Sequence, residues 1–215
     1  MTQIPCTYDP VSKAVSFTVS HFSLYMVGVV SPWENPFADV SKSDWFYDAV
    51  RFVSEKGLMT GTGDTAFSPQ ANTTRGMIVT ILYRLEGAPA ASANSFSDVA
   101  AGKYYTNAVA WAAENKIVGG YGNGKFGPED AITREQMSVI LKNYAKYKGY
   151  DVSGSTDLSK YTDGGSVSVW AKDAVSWTTA VGLIQGDGEK LTPSGNAVRC
   201  QVAAILQRFI ENVAK

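Results

Sequence analysis

From Phe37 onward the sequence repeats itself, and this limits the available folds more than any other feature. Asp39, Ala49, Gly61, Phe67 and Arg75 recur as Asp98, Ala108, Gly120, Phe126 and Arg134, a constant 59 residues on (39 to 98, 75 to 134). A third, less regular copy runs through Asp163, Ala174, Gly186, Leu191 and Arg199. It gains one residue at Gly164-Gly165-Ser166 and loses one between Gly186 and Arg199.

Each copy reads as helix, loop, helix. Phe46, Ala49, Val50 and Val53 stand at i, i+3, i+4, i+7, and Tyr105, Ala108, Val109 and Ala112 repeat the pattern. Second helices are carried by Met77, Ile78, Ile81, Leu82 and Leu85, by Met137, Ile140, Leu141 and Tyr144, and by Val202, Ile205, Leu206, Phe209 and Ile210. Between the helices, Phe67-Ser68-Pro69, Phe126-Gly127-Pro128 and Leu191-Thr192-Pro193 each offer an apolar plug followed by a proline. Asp39, Asp98 and Asp163 are expected to cap or tie the entry turns. Gly61, Gly120 and Gly186 are expected to end the first helix or turn the loop, where positive φ is required.

The leader differs. Ala14 to Ser20 alternates like a half-buried strand, Phe22 to Val30 is a second strand candidate, and Asp9-Pro10 signals a turn. Two strands alone are marginal in water, so this reads as the last hairpin of an upstream β-domain. The expected organisation is a β leader and linker over 1–35 and repeats over 36–90, 91–152 and 153–215.

Composition narrows the function. With 45% apolar and 18% charged residues and a net charge of −1, the chain gives no signal for nucleic acid or a membrane surface. No apolar run is long enough to span a membrane. The first residues lack the basic and apolar regions of a signal peptide, so the chain reads either as intracellular or as a piece of a secreted protein. Cys6 and Cys200 form neither a metal-ligand spacing nor a disulfide framework. His21, the one histidine, has no nucleophile in an activating context. No complete metal or cofactor ligand set is present. Gly122 to Gly127 fits G-x-G-x-x-G by letter, but a helix precedes it and a proline turn follows, so these are turn glycines.

The feature to explain is an arginine in the first turn of each second helix: Arg75, Arg134 and Arg199. A cation is unfavourable at that end of a helix dipole. Thr133 caps its helix and Gln136 can reach back as in a capping box. Two readings stand for the arginines: a salt bridge to a neighbouring repeat, or a ligand. Trp45, Tyr104 and Trp170 share one repeat position and are either helix-start packing or a flat wall for a sugar ring.

Phe37-Ala38-Asp39-Val40, Phe96-Ser97-Asp98-Val99, the aromatic-x-x-x-Ala-Val step, G-x-F-x-P and Thr133-Arg134-Glu135-Gln136 resemble the S-layer homology module. The resemblance covers about residues 36 to 213. In the third copy Tyr161 replaces Phe and Val198 replaces Thr. It implies a mainly α fold in which three copies form an intramolecular pseudo-threefold trimer, a monomer as a whole. It also implies a non-catalytic, cofactor-free module at the cell surface. That module would bind secondary cell-wall polysaccharide of Gram-positive-type bacteria, often pyruvylated, in grooves between repeats. Arg75, Arg134 and Arg199 would then be the key ligands. Gln136, Gln201, Trp45, Tyr104, Trp170, Gly61, Gly120 and Gly186 would complete the grooves. The motif's acidic position is Met77, Gln136 or Gln201 here. A pyruvate ketal is a carboxylate, and a helix N-terminus with an arginine fork suits one. A repeat array that makes protein contacts and binds no glycan is the alternative.

Overall fold

The computed structural model describes residues 4–20 and 33–214. They belong to two units, divided between residues 32 and 33.

In the first unit β1 (Cys6–Asp9) pairs antiparallel with β2 (Ala14–Phe17), Cys6 opposite Phe17 and Asp9 opposite Ala14. Asp9 holds the turn by accepting from the Val11 N–H at 2.9 Å and the Ser12 hydroxyl at 2.5 Å. The strand expected from Ala14 is thus present as β2, in a hairpin with β1. β2 ends three residues early, and its partner precedes the Asp9-Pro10 turn. The second strand expected over 22–30, and His21, lie outside the described residues.

The second unit holds six α-helices. First helices are α1 (Tyr47–Glu55), α3 (Thr106–Glu114) and α5 (Lys172–Ala180). Second helices are α2 (Arg75–Leu85), α4 (Arg134–Lys148) and α6 (Arg199–Arg208). The apolar stripes do what their spacing predicts: Ala49, Val50, Val53, Ala108, Val109 and Ala112 are all buried. Gly149, with φ of 73°, ends α4 in the left-handed conformation. α6 runs into a π-helical turn at Phe209–Val213.

The repeats close into a ring. α2 packs on α3, α4 on α5, and α6 returns to α1. At the centre three backbone hydrogen bonds follow one another round. The Thr73 N–H donates to Ala197 O, Ala197 N–H to Ile132 O, and Ile132 N–H to Thr73 O, each at 2.9 Å. These residues immediately precede the second-helix starts, so the ring fixes all three N-termini.

Each repeat is also closed on itself by its aspartate, over a longer span than the entry turn expected from sequence. Asp39 accepts from the N–H groups of Phe67 and Ser68, Asp98 from those of Phe126 and Gly127, and Asp163 from those of Leu191 and Thr192, all at 2.7–2.8 Å. The second donor in each pair is left-handed, with φ of 56° at Ser68, 71° at Gly127 and 52° at Thr192. Tolerating a β-branched Thr192 there costs about 1–2 kcal/mol, which the clamped N–H groups help offset. The clamped plugs Phe67, Phe126 and Leu191 are essentially inaccessible. Asn35 and Asn94 act similarly at the repeat entries. Each donates its amide to two carbonyls and accepts from the N–H two residues on.

Burial pushes the Asp98 carboxyl pKa up, but the Phe126 and Gly127 N–H bonds outweigh that and hold it below the ordinary value. A depressed folded pKa means stability that is present above the unfolded value of about 3.9 and lost as pH falls through the folded one. Asp98→Asn should cost about 1 kcal/mol at neutral pH, the site being only half-buried. The gap between its thermal midpoint and that of the wild type should narrow as pH falls below about 4. A gap independent of pH would show that the carboxylate charge contributes nothing.

Gly61 and Gly120 are not at positive φ; among the three expected sites only Gly186 is, at 67°. Helix ends fall instead to Gly57, Lys116 and Gly182, with φ of 65°, 58° and 74°. Close approach explains Gly61 and Gly120. A Cβ on Gly61 would stand 2.8 Å from Ala66 O, and one on Gly120 2.4 Å from Lys125 O. No side chain fits there without moving backbone.

Candidate functional site

The three arginines sit on the seams between repeats. Arg75 donates through Nε to Phe126 O (2.9 Å) and through Nη2 to Gly119 O (3.2 Å), both in the second repeat. Arg134 donates through Nε to Leu191 O (2.8 Å) in the third. Arg199 closes the ring onto the first repeat, reaching Phe67 O (2.7 Å) and Thr60 O (2.6 Å). Arg75 also lies over the rings of Tyr121 and Phe126, and Arg199 over Phe67, at 4.6–4.8 Å.

Among the described residues no carboxylate lies within ion-pair distance of these guanidinium groups. The described ion pairs are Arg51 with Glu55, Lys142 with Asp173 and Lys148 with Glu86. The salt-bridge reading of the arginines is thereby removed. Arg75 and Arg199 are only 6% and 7% exposed. Burial lowers the pKa of all three from the ordinary arginine value. The more distant charges that oppose this are Tyr121, Asp130 and Asp98 for Arg75, Asp163 and Asp187 for Arg134, and Asp39 for Arg199. A guanidinium stays charged even so, and a buried cation served only by neutral carbonyls is costly.

The helix N-termini are not open to an anion, contrary to the sequence expectation. Arg75 N–H donates to Asp130 O and Gly76 N–H to Pro128 O. Arg134 N–H donates to Gly195 O, Glu135 N–H to Pro193 O, Arg199 N–H to Ala71 O and Cys200 N–H to Pro69 O, at 2.8–2.9 Å. The third N–H of α2 goes to Thr74 Oγ1, and that of α4 to Thr133 Oγ1. The neighbouring repeat has used these donors, so recognition falls to side chains. Thr133 and Gln136 form the full capping box. Val198 has no acceptor to offer, and α6 keeps only the return bond, Val198 N–H to Gln201 Oε1 at 3.3 Å. With Oε1 held by backbone, both glutamines have only their NH₂ groups, which are donors, left for a ligand.

Two grooves are lined by residues from all three repeats. The first, about 260 Å³, has Arg75 from repeat one, Gly120, Tyr121 and Gln136 from repeat two, and Trp170 from repeat three. The second, about 300 Å³, has Arg134 from repeat two, Gly186, Gln201 and Arg208 from repeat three, and Trp45 from repeat one. At the third seam Arg199 meets Thr60 and Phe67 beside Gly61, Met77 takes the place of the glutamine, and Tyr104 is the aromatic of matching repeat position. Trp45, Tyr104 and Trp170 are 65%, 52% and 59% exposed, far more than core packing leaves a ring that size. Sequence reading missed Tyr121 and Arg208. Tyr121 could have been flagged as a lone aromatic among loop glycines. Arg208 looked like the cation that commonly ends a helix. Asp39, Asp98, Asp163 and Thr133 are where a structural role requires them.

Of the cysteines, Cys6 is exposed on β1 and Cys200 is buried at the start of α6, where burial raises its thiol pKa. Among the described residues no helix is long and apolar enough to cross a membrane.

A ring of three helix-loop-helix repeats, with arginines and aromatic rings at the seams, defines a tandem-repeat module. The model of the S-layer homology domain matches residues 36–76, 95–138 and 160–203, and the chain belongs to that family. It is 29% identical over 209 residues to an amylopullulanase of Thermoanaerobacterium thermosulfurigenes, covering 94% of this chain and 11% of that protein. It is 32% identical over 181 residues to an endoglucanase of Bacillus sp. (strain KSM-635), covering 83% and 19%. A cellulosome-anchoring protein of Acetivibrio thermocellus is 26% identical over 184 residues, covering 83% and 39%. The chain thus spans only between about a tenth and two fifths of the length of these relatives.

Proposed function

We propose that this chain is a non-catalytic anchoring module that holds its parent protein at the bacterial cell surface. It does so by binding an acidic secondary cell-wall polysaccharide, such as a pyruvylated one, in the grooves between repeats. One observation carries the reading. Guanidinium groups without a carboxylate partner, an amide NH₂ and an exposed aromatic ring line the same groove, drawn from three different repeats. An anionic sugar supplies what each lacks: a carboxylate for the arginine fork, acceptors for the amide and an apolar face for the ring. An amylopullulanase, an endoglucanase and a cellulosome-anchoring protein all match this chain, over 11%, 19% and 39% of their own length. That pattern fits a common attachment part and leaves catalysis to other domains.

The second reading is a purely structural array that makes protein contacts. The double backbone bonds of Arg75 and Arg199 favour it, since those bonds staple repeats together. Sedimentation with purified Gram-positive cell walls separates the two. Binding should disappear when the secondary polymer is chemically extracted and peptidoglycan is left. Undiminished binding to extracted walls would sink the glycan reading.

A further inference from the structure

The two grooves are not equivalent, and the difference is one charge. Arg208, in the last turn of α6, donates through Nη1 to Leu183 O at 3.2 Å and so anchors the groove loop. In the first groove the matching helix position is Asn143, whose Nδ2 donates to Ile117 O, also at 3.2 Å. An uncharged amide does the same anchoring, so the charge of Arg208 is surplus to it. At the matching place on α2, Arg84 is exposed and makes no such bond. Arg208 is half-buried and, among the described residues, has no carboxylate at ion-pair distance. Arg134 lines the same groove and is the least occupied of the three seam arginines. Its Nε alone is bonded, its two Nη groups have no protein acceptor among the described residues, and Leu191 gives it no ring to lie on. The two acids whose charge reaches it face backbone instead: Asp163 accepts from the N–H groups of Leu191 and Thr192, and Asp187 Oδ1 from those of Glu189 and Lys190. Two guanidinium groups thus share about 300 Å³ beside Trp45, where the first groove has Arg75 alone, covered by Tyr121.

We infer that the groove of Arg134, Arg208 and Trp45 selects a dianionic saccharide segment, two negative charges within one or two sugar residues, and that the groove of Arg75 and Trp170 takes a singly charged one. This rests on the proposed glycan binding and refines it. Arg134 and Arg208 would each fork a separate anionic group, with one sugar ring on Trp45.

The test is site-resolved titration of the whole chain, following the indole N–H resonances of Trp45 and Trp170 by NMR, assigned with Trp→Phe variants. Two probes are used. One is a methyl hexopyranoside bearing a 4,6-pyruvate ketal, with one carboxylate. The other is the same sugar linked to a glucuronic acid, with two. At Trp45 the two-carboxylate probe should bind at least about tenfold tighter than the one-carboxylate probe, one charge-assisted contact being worth that much. At Trp170 the two should agree within about threefold. Arg208→Gln keeps a donor for Leu183 O and should abolish the preference at Trp45 without moving the thermal midpoint by more than a few degrees. Equal affinities at Trp45, the same preference at Trp170, or an undiminished preference in Arg208→Gln would each overturn the inference and leave glycan binding standing. Absence of binding by either probe at either ring would overturn both.

Discussion

A chain ending at residue 152, with repeats one and two intact, is expected to melt without a cooperative transition. Open helical arrays behave otherwise. Their repeats touch only neighbours, and a terminal unit can be removed with loss of one interface. Here the third repeat closes a ring. Without it α1 loses α6 and α4 loses α5, so two faces open together. Ala49, Val50 and Val53 on α1, and Ile140, Leu141 and Tyr144 on α4, are buried among the groups at risk. At about 1.5–3 kcal/mol for each large apolar side chain exposed, the loss approaches the whole stability of an ordinary domain, about 5–15 kcal/mol. The central hydrogen-bond ring through Thr73, Ile132 and Ala197 loses one member and two of its three bonds. Far-UV circular dichroism against temperature reads the result. A sharp two-repeat transition within about 10 °C of the full chain would mean that the seams are weak, because a shift of that size in a domain this large corresponds to only a few kcal/mol.

Ring closure was legible in the sequence only as an analogy, and the reason is physical. Periodic apolar residues report which face of a helix is buried, not what buries it. Val50 and Val53 announce a core-facing stripe, yet nothing near them names α6 as the partner. The helices and plugs were readable because they depend on local spacing. The grooves were not, because each draws its arginine, its amide and its ring from three different repeats. Arg75 lines a groove with Gln136 and Trp170, and the repeat pattern by itself does not say which copy's amide and ring stand beside which arginine. α6 likewise sets Arg199 on the seam with repeat one and carries Gln201 into the groove of Arg134. The open helix N-terminus failed for a related reason. Its free N–H groups are a property of an isolated helix, and the residues before each arginine run as short bridges to the next repeat, whose carbonyls accept those donors. The loop glycines follow the same rule: Gly61, Gly120 and Gly186 all answer to a carbonyl across the loop, and Gly186 alone also takes the positive φ that a local turn requires.

Arg134→Ala should weaken binding of a short pyruvylated fragment at its own groove by roughly 10- to 100-fold, since a hydrogen bond to a charged group contributes about 1.5–3 kcal/mol and each 1.4 kcal/mol is tenfold. Its effect on stability should be near 1 kcal/mol, because only the bond from Nε to Leu191 O is lost. Arg75→Ala and Arg199→Ala are different experiments. Each removes two bonds to backbone carbonyls from a nearly inaccessible side chain, together with its contact over one or more rings. Those variants should lose about 2–4 kcal/mol of stability, and their binding is interpretable only where they remain folded. Arg134→Lys should recover part of the affinity and little of the geometry, a point charge being unable to match a planar fork. Calorimetry on a monovalent fragment is the measurement to use, because on whole walls linked grooves mask a single loss through avidity. Unchanged affinity at the Trp45 groove in a folded Arg134→Ala protein would remove the arginine from recognition and leave it as one more staple between repeats.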